Sequence, residues 1–270
     1  INKPSATAFN TKLYTGNGGT QSIDVGFQSD FTWLKSRTEA KNHVLIDAVR
    51  GSSKNIHSNL TNAEDTNATR ITGFDSDGFN LGSSSTTNTN SQNYVSWNWK
   101  ANGAGSANTA GSINSTVSAN TTSGFSIVSW TGTGANATVG HGLGVAPKVI
   151  IIKNLIDTEP WIVYHTGIDA TAPEDYHLRL NTTDARVDEA PIWNDTAPTS
   201  SVFSLGSSGA PNGSGDASIA YCFADVQGFS KFGSYQGNNN VNGTFVYTGF
   251  KPAFVMIKLD GADGWMMLDN

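Results

Sequence analysis

Gly26-Phe27-Gln28-Ser29-Asp30-Phe31-Thr32-Trp33-Leu34-Lys35 is the stretch on which the fold turns, because the chain writes it three times. It returns as Gly144-Val145-Ala146-Pro147-Lys148-Val149-Ile150-Ile151-Ile152-Lys153, then as Gly249-Phe250-Lys251-Pro252-Ala253-Phe254-Val255-Met256-Ile257-Lys258. Self-similarity at a long, near-constant spacing marks a chain assembled from copies of one supersecondary unit.

Working outward, an aromatic and a Gly-rich turn precede each copy: Tyr14-Thr15-Gly16, Trp130-Thr131-Gly132 and Tyr235-Gln236-Gly237. A further strand-like run follows at His43 to Val49, Trp161 to Thr166 and Trp265 to Asp269. Two copies continue, Phe79-Asn80-Leu81-Gly82 matching Phe203-Ser204-Leu205-Gly206, and Val95 to Trp99 matching Ile219 to Phe223. The expected domains are 1–105, 106–228 and a partial third repeat at 229–270. For the third copy the favoured expectation is continuation of the natural chain past Asn270, since an unpaired half-sandwich exposes sheet edges. The alternative is that its strands complete a sheet of the second unit or of a neighbouring subunit.

Apolar residues alternate within a unit, as in Val44, Ile46 and Ala48 or Val95, Trp97 and Trp99, which is the period of strands with one buried face. Pairs such as Asn17-Gly18, Asp77-Gly78, Asn102-Gly103 and Asn242-Gly243 supply tight turns. With 29 Gly, eight Pro and only 14% charged residues, the chain lacks the composition of long helices. The predicted class is all-β, a tandem of antiparallel β-sandwich domains with seven or eight short strands each. The polar segment from Asn102 to Thr122 reads either as a flexible linker or as one edge strand near Ile113 to Val117.

A net charge of −6 without a Lys/Arg cluster argues against nucleic-acid binding. Apolar runs such as Val149 to Ile152 fall far short of the roughly 20 residues of a membrane-spanning helix, so no membrane insertion is expected. Cys222 stands alone and reads as a buried small hydrophobe.

The phrases Asp30 to Lys35 through Val49-Arg50-Gly51, Asp77 to Gly82, Tyr94 to Ala101 and Gly124 to Val128 resemble a tandem-repeat domain of structural proteins of tailed phages, particularly marine and cyanobacterial ones, of tail-fibre-like type. The resemblance spans nearly the whole chain. It implies a jelly-roll or lectin-like sandwich in a virion or extracellular location, partnered by other virion subunits and by further copies of itself. It carries no catalytic signature.

Chemistry is sparse. Acids that a glycosidase would need as a pair are Asp47, Asp75, Asp77, Glu159, Glu174, Asp175, Asp188 and Glu189, but Asp47 becomes His165 in the second copy and Asp269 in the third. Asp75-Ser76-Asp77-Gly78 resembles the opening of a calcium loop, so Ca2+ at Asp75 and Asp77 is the one metal expectation, against plain solvated turn acids. The matching Thr199-Ser200-Ser201-Val202 has no carboxylate. His43, His57, His141, His165 and His177 lack close-ligand spacing, and no other cofactor is indicated. Most Trp residues recur at strand positions and read as core. Trp193, followed by Asn194 and Asp195 between Pro191 and Pro198, reads as a loop indole that stacks a sugar while its neighbours bind hydroxyls.

The expected function is that of a non-enzymatic virion component, a tail or head fibre or a decoration protein, contacting a host-surface glycan or protein. The alternatives are a bacterial adhesin or extracellular appendage subunit, and a polysaccharide depolymerase.

Overall fold

The computed structural model describes residues 8–270. The chain is all-β. Its strands are β1 (Phe9–Thr15), β2 (Gln21–Asp24), β3 (Phe31–Ser36), β4 (Val44–Asp47), β5 (Lys54–Asn55), β6 (Asp65–Thr66), β7 (Ile71–Asp75), β8 (Gly78–Leu81) and β9 (Asn93–Trp99) in the first repeat. The second has β10 (Ser106–Asn108), β11 (Ser115–Asn120), β12 (Phe125–Thr131), β13 (Ala137–Gly140), β14 (Val149–Asn154), β15 (Ile162–His165), β16 (Tyr176–Arg179), β17 (Val187–Asp188), β18 (Val202–Leu205) and β19 (Ala217–Phe223). Two single-turn helices, α1 (Ala190–Trp193) and α2 (Gly209–Asn212), join them, and β20 (Phe254–Lys258) with β21 (Trp265–Asp269) follows.

The two full repeats follow one path. In the first the strand order is β1-β9-β3-β4, and in the second β12-β19-β14-β15 forms the centre of an eight-stranded sheet. Smaller sheets, β2-β8-β7 and β13-β18, lie over the outer faces. All strand pairs are antiparallel. The third repeat contributes only the hairpin of β20 and β21, in the register of its counterparts: Phe254 faces Asp269 as Phe31 faces Asp47 and Val149 faces His165.

The segment from Asn102 to Thr122 is not a linker. β11 pairs with β12 along six residues and β10 adds outside it, because Ile113 and Val117 have apolar sites to fill and are both buried.

Packing changes the picture of separate sandwiches. Each full repeat has its own outer core. Leu34, Val44 and Ile46 pack with Ile23, Phe79 and Leu81, while Ile150, Ile152 and Ile162 pack with Val139, Phe203 and Leu205. The inner faces of the two large sheets meet in a common core that holds Phe31, Trp33 and Leu45 together with Phe125, Ile151 and Tyr221. Phe31 stacks on Tyr221 at 4.1 Å between ring centroids. Phe254, Met256 and Met267 of the third hairpin pack against that same core. Three equivalent hairpins therefore aim their inner faces at one place.

The contacts between repeats are themselves repeated. Trp161 Nε1 of the second donates to the His57 carbonyl of the first at 2.9 Å, and Trp265 Nε1 of the third donates to the Arg179 carbonyl of the second at 2.9 Å. Backbone N–H groups follow suit, Glu64 donating to Leu155 O at 3.0 Å and Arg186 to Asp260 O at 3.2 Å. From the last strand of the repeat, Tyr221 hydroxyl donates to Asp47 of the first repeat at 2.8 Å, and the equivalent Trp97 Nε1 donates to the equivalent Asp269 of the third at 2.8 Å. A head-to-tail contact that relates second to first, third to second and first to third closes as a ring of three.

Local devices also recur. Lys35, Lys153 and Lys258 each donate from Nζ to carbonyls of the hairpin loop that follows, Ser36 and Lys41, Asn154 and Asp157, and Leu259 and Gly261. Buried Asn88 and Asn212 tie the Gly turn of each full repeat to the end of β8 and of β18. Their Nδ2 groups donate to Gly82 O and Gly206 O, and their Oδ1 atoms accept from the N–H of Asn17 and Thr133. Gly16 and Gly132 have no room for a Cβ, which would overlap the carbonyls of Thr89 and Gly213.

Candidate functional site

Two features stand out where the repeats meet: a buried polar knot and an apolar cavity beside it. β4 ends at Asp47, and the turn after it carries Arg50, held by the Arg50 N–H donating to Asp47 Oδ1 at 2.9 Å. Arg50 Nε then donates to Asp47 Oδ2 at 2.7 Å and its Nη1 to Glu64 Oε2 at 3.1 Å. Tyr221, from the central strand β19 of the other sheet, donates to the same Oδ2 and accepts from Arg50 Nη2 at 3.3 Å. Asp47 is completely buried and Tyr221 nearly so. Burial and then the Asp47 carboxylate hold the Tyr221 hydroxyl well above its ordinary range, so it stays a donor. Burial opposes the Arg50 charge, but Asp47, Tyr221 and Glu64 outweigh it and raise its pKa, so it stays a cation. Both Asp47 oxygens are occupied by protein donors.

The cavity has a volume of about 590 Å³ and lies between the inner faces of the two large sheets, under Phe232 and the third hairpin. Phe9, Trp99, Phe125 and Phe223 form its apolar wall, and His165, Tyr221, Lys231 and Lys251 also line it. Burial lowers the His165 pKa, with Asp225 opposing, and the ring accepts the Gly167 N–H at Nδ1 at 2.9 Å.

The chain matches the DUF7483 domain, a domain of unknown function, over residues 3–270. It belongs to the DUF7483 family. No curated protein and no solved structure matches it.

The residues predicted from sequence fare unevenly. Trp193 is 2% exposed and does not offer its ring to a sugar. It ends α1, and its indole packs edge-on to Tyr164 at 5.7 Å in the outer core of the second repeat. The loop is polar except for Ile192 and Trp193, and those two are the anchors that fix it. Asn194 and Asp195 are exposed with left-handed backbones. Asn194 closes the helix and accepts from Asn136 Nδ2 at 2.6 Å. Asp195, Glu174 and Asp188 crowd Asp175, whose pKa is raised by desolvation and by these acids.

Asp75 and Asp77 flank the tip of the β7-β8 hairpin. Asp75 Oδ2 accepts from Asn80 Nδ2 at 2.7 Å, and the Asp77 carbonyl accepts from Val25 and Gly26. Among the described residues no three His, Cys, Asp or Glu are grouped as a metal site.

Sequence reading missed the knot. Arg50 lies inside a recurring phrase, but its second-repeat counterpart carries no matching charge, and the pairing with Tyr221 joins residues far apart in the chain. Lys153 was also invisible as a special residue. It is fully buried, and burial pushes its pKa down to about 8 against the pull of Glu159 and Asp157.

Proposed function

We propose that this DUF7483 chain is a non-enzymatic structural component of a phage virion, in a fibre or a decoration layer. The observation that carries the reading is the ring of three repeats closed on one core. Each repeat braces the others, as suits a module that bears load and not one that opens and closes on a substrate. The low charge of the chain and the resemblance to tailed-phage repeats support the same reading. Its partners are other virion subunits and further copies of the chain. Contact with a host-surface glycan or protein falls to the exposed polar loops, among them Asn194 and Asp195, and not to Trp193.

The experiment is localisation on particles. Virions of the phage that encodes the chain, purified by density, should contain it in stoichiometric amount by mass spectrometry, and antibody-gold should mark a fixed place on each particle. Its absence from washed particles refutes the reading.

A further inference from the structure

The first repeat shows what the second has added to a shared frame. The bridge of Leu45 to Ile56 matches the pairing of Val163 with Leu178, which puts Asn55 of β5 in register with His177 of β16. The next contacts agree, since the Asn67 N–H donates to Ser53 O at 2.8 Å and the Glu189 N–H donates to Asp175 O at 3.1 Å. The first repeat therefore carries Ser52, Ser53, Asn55, Thr66 and Asn67 where the second carries Glu174, Asp175, His177, Asp188 and Glu189. Uncharged polar residues give way to four acids and a histidine with the backbone path unchanged. The frame does not need those charges.

Nor are they balanced. Seven acids and two arginines lie in the stretch from Asp169 to Asp195, in a chain whose net charge is −6. Arg179 pairs with Asp184, and Arg186 with Asp169 and Asp260, so Glu174, Asp175, Asp188 and Asp195 have no ion-pair partner among the described residues. Desolvation, then Asp195 and the other acids, raise the Asp175 pKa, the mark of a field that a cation would relieve. Beneath the acids lies His177, fully buried, with no hydrogen-bond partner at either ring nitrogen. Its Nε2 stands 3.9 Å from Glu189 Oε2, and the Glu189 side chain is 38% exposed, so the pair leads from solvent to the buried ring. A buried imidazole left unpaired is destabilising unless a bound group completes it.

We propose that this edge of the second repeat binds a divalent transition-metal ion of the zinc class, with His177 Nε2 and Glu189 as its first two ligands. The two already face each other across a gap that one ion bridges. Asp175, whose carbonyl holds the Glu189 N–H, and Asp195, the acid that acts most strongly on it, close on the ion, and water completes the shell. A neutral imidazole beside carboxylates selects Zn2+, Co2+ or Ni2+ over Ca2+ and Mg2+, which take oxygen ligands. Burial, with Arg179 adding, pushes the His177 pKa down to about 4, so the ring is a neutral ligand at pH 7. Bound there, the ion ties the single turn Pro173–Asp175, β16, β17 and the loop after α1 together at the outer edge of the eight-stranded sheet.

The probes are ZnCl2 and CoCl2, titrated into the intact chain after chelator treatment, with CaCl2 and MgCl2 for comparison. Zn2+ should bind one to one, roughly tenfold or more tighter than Ca2+, and shift the ring resonances of His177. Co2+ should develop visible d–d absorption that saturates at one equivalent. His177→Asn places there the residue that the first repeat has at the matching position. It should keep the near-ultraviolet circular dichroism of the core and weaken Zn2+ binding roughly tenfold or more. Glu189→Gln, at a partly exposed side chain, should weaken binding to a similar degree, and Asp184→Asn should leave it unchanged. The proposal fails if Zn2+ does not bind below about 1 mM, or if either weakening variant binds as the parent does. It also fails if Zn2+ shifts the rings of His43 or His57 and not that of His177, or if Ca2+ competes on equal terms.

Discussion

Asp47→Ala should destabilise the protein by about 3 kcal/mol. Removing one member of a buried ion pair costs roughly 3–5 kcal/mol, because the partner is left charged and unpaired. Here the lower end applies, since Arg50 keeps Glu64 at 3.1 Å and the Leu45 carbonyl at 3.3 Å. Tyr221→Phe deletes one hydrogen bond to a charged acceptor and leaves the Asp47–Arg50 pair intact, so its cost is about 1.5 kcal/mol. The two groups share one contact across the seam between repeats. The double variant should therefore cost less than the two single costs together, by about 1 kcal/mol. Urea denaturation of the four proteins, read by midpoint and slope, measures this. Costs that add to within about 0.5 kcal/mol would refute the coupling across the seam.

Other expectations follow from the same contacts. Trp193→Ala should cost roughly 3–5 kcal/mol by opening a cavity in the second repeat, measurable by urea midpoint, and glycan binding normalised to folded protein should not change. His43 and His177 have pKa values pushed down to about 4, chiefly by burial, with Lys35 and His57 adding at His43 and Arg179 at His177. The unfolded chain binds these protons near 6.5, so stability is full above pH 6.5 and falls as pH drops towards 4, by up to roughly 2–3 kcal/mol per group. Urea midpoints between pH 7 and 4.5 check this, and His43→Asn should flatten the slope. The Cys222 thiol is buried and pushed up to about 12, so a thiol reagent at pH 8 should label it only after unfolding. Labelling of the native protein at the rate of a free thiol would contradict that.

Much of the architecture was legible in the chain because the repeat preserves strand order. The phrase from Phe31 to Lys35 and its two echoes mark the three hairpins, and Val95 to Trp99 marks the strand between them. The common core was not legible. β3 and β14 are buried on both faces, so their apolar pattern gives no sign of which face looks at a companion repeat. Asn88 and Asn212 were hidden by composition, since a buried structural Asn looks like any other in an Asn-rich chain, although comparing the two full repeats at constant offset would have paired them. Trp193 misled because a polar, Pro-bounded stretch suggests an exposed loop, whereas its single apolar pair is what pins that loop down. Asp75 and Asp77 were legible as turn acids two apart, but not their partners in the fold, the Asn80 amide and the N–H groups of Val25 and Gly26, because these come from neighbouring strands and turns.

Scanning calorimetry of the intact chain is the most direct measurement of whether three repeats share one interior. One transition is predicted, with calorimetric and van't Hoff enthalpies equal, and with Asp47→Ala lowering the whole of it. Two separable transitions, only one of them moved by Asp47→Ala, would mean that the repeats melt as independent bodies and would contradict the ring.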